Sequence, residues 1–142
     1  MKYRIPGLFA ALIACTLTAA LAVALPQARS GREAPPDTWG GAHVEMQVTA
    51  HGATLQFDCA EGEMQEAIKL DAAGSFTVHG NYTPERGGPV QKDHPPQALP
   101  AVYKGTIRGD SMQLEVILGA NGPSLEPFTL TRGKTGHVVL CR

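Results

Sequence analysis

The octapeptide HVEMQVTA, residues 43–50, the turn pair His51-Gly52 and the hexapeptide TLQFDC, residues 54–59, decide the fold. In the first run Val44, Met46, Val48 and Ala50 share one face, and His43, Glu45, Gln47 and Thr49 share the other. In the second, Leu55, Phe57 and Cys59 alternate with Thr54, Gln56 and Asp58. An apolar–polar period of two marks a half-buried strand. Two such runs joined by a glycine-bearing turn read as a β-hairpin.

The same period continues outward. Glu61-Gly62 reads as the next turn, and residues 64–70 as a third strand. Glu66 falls on the face of Met64, Ile68 and Leu70, so that strand either bulges near residues 65–67 or holds Glu66 near its open end. Residues 71–74 turn the chain, and Phe76, Val78, Gly80 and Tyr82 then share a face. Tyr103, Gly105 and Ile107 alternate after a long loop, and Met112, Leu114, Val116 and Leu118 follow the Gly109-Asp110 turn. Residues 125–132 and 137–141 supply the last two strands. No segment sustains a helical period. The expectation is an all-β, antiparallel meander of about eight strands closed into a small up-and-down barrel, with a two-layer β-sandwich as the alternative. Gly80 and Gly105 favour closure, because glycine on an inward face allows sharp coiling or close backbone approach.

Composition defines what surrounds this domain. The chain has 142 residues, 43% of them hydrophobic, and a formal charge of -1. Residues 1–24 are far richer in apolar side chains than the rest. Lys2 and Arg4 precede an uncharged stretch from Gly7 to Leu25, and Ala22-Val23-Ala24 offers the small residues of a cleavage site. Residues 1–24 therefore read as a secretory signal peptide. The alternatives are an uncleaved N-terminal anchor, or a lipoprotein acylated at Cys15 in the lipobox-like Leu12-Ile13-Ala14-Cys15. Residues 25–38, polar and Pro-rich, read as a disordered spacer. Residues 39–142 form a single β domain. The implied location is periplasmic or extracellular, with no membrane span in the mature form. The charge balance excludes the basic footprint of a nucleic-acid binder.

Cysteine usage agrees with export. Cys59 and Cys141 remain after cleavage, and both fit inward positions. In an oxidising compartment they are expected to pair and tie the second strand to the last, two buried free thiols being the alternative.

A resemblance supports this reading. Trp39-Gly40-Gly41-x-His43, Asp58-Cys59-Ala60-x-Gly62, Gly74-x-Phe76, Gly80-x-Tyr82, Gly87-Gly88-Pro89, Tyr103-x-Gly105-x-Ile107 and Phe128-x-Leu130 before Cys141 resemble a group of small exported bacterial proteins of unknown function. The resemblance implies a bacterial source and an all-β fold. A looser likeness is to lipocalin-type barrels, which carry Gly-x-Trp where this chain has Trp39-Gly40-Gly41.

Chemistry-bearing patterns are sparse. His43, His51, His79, His94 and His137 lack the i, i+2 or i, i+4 spacing of neighbouring metal ligands. Asp58, Glu61, Glu63 and Glu66 lack the layout of a calcium loop and read as a solvated edge that discourages aggregation. No serine sits in a Gly-x-Ser-x-Gly elbow. No catalytic residue, metal ligand or cofactor is assigned. The strongest functional feature is the loop of residues 83–100, which holds five prolines and is flanked by Tyr82 and Tyr103. Tyr82, Arg86, Gly87, Gly88 and Tyr103 are the ligand-binding candidates. Two functions remain in view. One is non-catalytic binding of a small apolar ligand in the barrel or its mouth under this loop. The other is an accessory role in which the outer surface and the loop contact a cell-envelope protein.

Overall fold

The structure is a computed structural model and describes residues 31–86, 88 and 95–141. Ten strands lie among the described residues: β1 (Arg32–Glu33), β2 (Asp37–Gly41), β3 (Val44–Thr49), β4 (Gly52–Phe57), β5 (Ala60–Met64), β6 (Lys69–Leu70), β7 (Ser75–Pro84), β8 (Leu99–Arg108), β9 (Ser111–Leu118) and β10 (Phe128–Arg132). Eight of them close into a barrel in the order β10-β2-β3-β4-β5-β7-β8-β9. All neighbours are antiparallel, and the seam pairs Arg132 with Trp39 and Leu130 with Gly41. Strands β1 and β6 form a separate two-stranded ribbon. It packs at the barrel end that carries the β8–β9 turn, where Ala34, Ile68 and Leu70 are buried.

The inward face of each barrel strand supplies the core. Trp39, Val44, Met46, Tyr103, Met112, Val116 and Leu130 are wholly buried, and Leu55, Phe57, Met64, Phe76 and Leu114 nearly so. Each large side chain removed from water contributes about 1.5–3 kcal/mol. Aromatic rings fill the inward space left by glycines. Phe76 lies across from Gly105, and a Cβ on Gly105 would strike its ring. The Tyr103 ring packs beside Gly80, and its hydroxyl lies over Gly62.

Several boundaries differ from the sequence reading. The first barrel strand is β2, which begins within the stretch read as spacer; Arg32–Glu33 of that stretch form one strand of the ribbon, and Ala34 after them is buried. Its sequence, DTWGG, has a single large apolar residue and so shows no alternation. Glu61-Gly62 is not a turn: both lie in β5, and Asp58-Cys59 turns the chain, with Cys59 at φ 56°. Consequently residues 64–70 are not one strand. The chain leaves the barrel after Met64, which removes the conflict of Glu66 with the apolar face, and Lys69–Leu70 pairs with β1. Strands β7 and β8 extend to Pro84 and from Leu99, so the long loop shortens to residues 85–98.

Residues 137–141 are not a strand either. They belong to a strap that crosses the outside of the seam. A Cβ at Gly40 would collide with the Lys134–Gly136 backbone, so glycine is what lets the strap pass. His137 N–H donates to Gly41 O at 2.9 Å, and His43 N–H donates to His137 O at 2.8 Å. The strap ends in the Cys59–Cys141 disulfide, with a Cα–Cα distance of 4.9 Å. Cys59 is half-buried in a turn and Cys141 is exposed. Neither faces the core, so the bond anchors the strap while hydrogen bonds close the barrel.

Candidate functional site

The structure places four of the five residues singled out from sequence. Tyr103 is inside the barrel and fully buried, donating its hydroxyl to Asn81 O at 2.7 Å. Burial pushes its phenol well above the ordinary tyrosine range. It rivets β8 to β7 and has no surface to offer a ligand. Tyr82 is half-buried at the mouth where β7 ends, 5.5 Å between ring centroids from Phe57, which in turn lies 5.3 Å from Phe128. Burial raises its phenol as well. Arg86 and Gly88 are exposed, and Gly88 has φ 108°. Gly87 lies outside the described residues, as do His94, Cys15 and residues 1–24.

Three other features are brought together by the topology. The first is a polar groove of about 450 Å³ on the outside of β3, β4, β5 and β7, reaching Ala98. Its side chains form two rungs across the strands: Glu45, Gln56, Glu61 and Thr83, then Gln47, Thr54, Glu63 and Asn81. With strands about 4.8 Å apart, each rung spans about 14 Å. Among the described residues, three carboxylates and no cation line it. A closed barrel has no free edge, so an edge-protecting role for Glu61 and Glu63 falls away; both stand in a fully paired strand.

The second feature lies beneath the strap. His43, at φ 66°, places Nδ1 2.5 Å from Asp58 Oδ2. Asp58 Oδ1 accepts from Val139 N–H at 2.7 Å. That backbone bond is the largest influence on the Asp58 carboxyl; desolvation, the next, opposes it, and the hydrogen bond and charge of His43 with the charge of His137 add to the lowering, which leaves the group below its usual range. The pair locks the strap onto the β4–β5 turn, and both partners are too remote in sequence for spacing to have linked them. Among the described residues no group of three or more His, Cys, Asp or Glu is arranged to hold a metal ion.

The third is a pocket of about 390 Å³ at the ribbon-covered mouth, lined by Arg32, Glu33, Pro35, Leu70, Ile107, Gly109, Asp110 and Arg132. The Arg132 guanidinium lies 4.9 Å over the Trp39 ring, a cation–π contact across the seam. Arg132 follows Phe128 and Leu130 on the inward face of β10, which a single charged residue after a short apolar run did not reveal.

These features define a closed, disulfide-bonded, up-and-down β-barrel with an apolar interior and a polar exterior. No family model, no curated protein and no solved structure matches the chain.

Proposed function

We propose that this protein is a non-catalytic, exported accessory domain that works through its outer surface. The observation that carries the reading is the filled interior: Trp39, Met46, Tyr103, Met112 and Leu130 occupy the space a ligand-carrying barrel keeps open. Binding of an apolar ligand inside the barrel, the other function read from sequence, would require this core to be displaced. Outward positions on β3, β4, β5 and β7 are polar, the reverse of a membrane barrel's apolar outer band. The disulfide fits an oxidising compartment, periplasmic or extracellular, and agrees with residues 1–24 acting as a signal peptide. Anchoring through an acylated Cys15 would tether the same domain without changing its working face. The resemblance to small exported bacterial proteins points the same way.

The working face is the groove with the two polar rungs, and its partner is a cell-envelope protein presenting basic side chains to Glu45, Glu61 and Glu63. Electrostatic complementarity of this kind steers encounter and suppresses wrong partners. The test is site-specific photo-crosslinking in the native envelope. A probe at Thr54 in the groove is expected to capture a discrete partner, a probe at Gln113 on the opposite strand β9 is not, and E61K/E63K is expected to abolish capture. Equal capture at both positions, or none at Thr54, would overturn the reading.

A further inference from the structure

We infer that the pocket at the ribbon-covered mouth is a binding site for a free amino acid with an apolar side chain. This goes beyond the outer-face reading, and the two stand or fall separately.

The inference begins with Arg132. It points inward at the barrel end, its guanidinium fixed over Trp39. Asp37 Oδ2 stands 3.9 Å from Nε, and Asp110 Oδ1 stands 3.9 Å from one terminal nitrogen. Both separations are too long for hydrogen bonds. Nε is buried and has no hydrogen-bond partner among the described residues. A guanidinium desolvated on one side and left without close acceptors is a poor structural ion pair and a ready receptor for a carboxylate.

The rest of the lining says which carboxylate. Arg32, from the ribbon, adds a second cation. Glu33 and Asp110 add two anions, so the lining itself is balanced in charge, and with Asp37 as a further carboxylate beside Arg132 the site disfavours a simple anion. A ligand carrying both signs satisfies it: carboxylate toward Arg132 and Arg32, ammonium toward Glu33 and Asp110. Pro35, Leu70 and Ile107 supply apolar wall for a side chain. The volume, about 390 Å³, is at the small end for ligand pockets, which suits a single amino acid.

Trp39 is the only tryptophan in the chain, and its contact with Arg132 makes its fluorescence the reporter. L-leucine titrated into the mature, oxidised protein is expected to change Trp39 emission saturably. Isopentylamine and 4-methylpentanoate, each lacking one charge, are expected to bind at least about tenfold more weakly, since each forfeits a charge-assisted hydrogen bond. R32A and E33Q, in the exposed ribbon, are expected to lose about tenfold in leucine affinity with the melting curve retained. E61Q in the outer groove is expected to bind leucine as the parent does. Three results would overturn the assignment: no saturable change in fluorescence or in amide chemical shifts, equal binding of 4-methylpentanoate, or unchanged affinity in both R32A and E33Q. Failure here leaves the crosslinking prediction at Thr54 untouched, and failure there leaves this one.

Discussion

Tyr103 donates its buried hydroxyl to Asn81 O. Removing it in Y103F leaves that carbonyl with one partner fewer, and urea unfolding is expected to show a loss of about 1 kcal/mol. The same burial sets a pH dependence. The folded phenol titrates above its unfolded range, so stability is full below about pH 10 and falls as pH rises further, because only the unfolded chain releases the proton. Y103F is expected to flatten that alkaline decline. Asp58 works in the opposite sense. Its folded carboxyl titrates below the unfolded value, so its contribution is present at neutral pH and is lost as pH falls through the folded value. D58N is expected to lower stability at pH 7 and to weaken the acid dependence, with the strap's amides, Val139 first, exchanging faster.

At the scale of elements, the strap depends on Gly40. Because the Lys134–Gly136 backbone occupies the space of a Cβ there, G40A is expected to displace the strap and cost about 1–3 kcal/mol, the range for forced overpacking. Thermal unfolding with hydrogen exchange on residues 136–140 would read it. Legibility follows the same physics. Strands β3, β4 and β9 keep uninterrupted alternation, and their faces are readable in the sequence. Strand β2 was not, because Gly40, which admits the strap, and Gly41, which lies against the Thr129 backbone of β10, erase its pattern. In β5, Gly62 sits inward beneath the Tyr103 hydroxyl, and a glycine after a glutamate looks like a turn until its long-range neighbour is known. The Val138-Val139 pair reads as strand, yet it runs along a surface already paired. The mouth pocket was hidden for a related reason: Arg32, Asp110 and Arg132 meet only after closure, whereas the flanking tyrosines of the long loop were visible locally.

For the whole molecule, closure and core filling are the central properties. The disulfide encloses a sequence separation of 82 residues, worth about 4.5 kcal/mol in the chain-entropy description. Reduction, or C59S/C141S, is expected to leave the barrel hydrogen bonds in place while lowering stability by up to that amount, read as a shifted denaturation midpoint. The most direct test of the filled barrel is native mass spectrometry of the mature, oxidised protein purified from its own source. The predicted result is an oxidised polypeptide, two hydrogens below its reduced mass, with no lipid or hydrophobic cofactor held non-covalently. A stoichiometric, non-covalently bound lipid or hydrophobic cofactor that survives purification would contradict it.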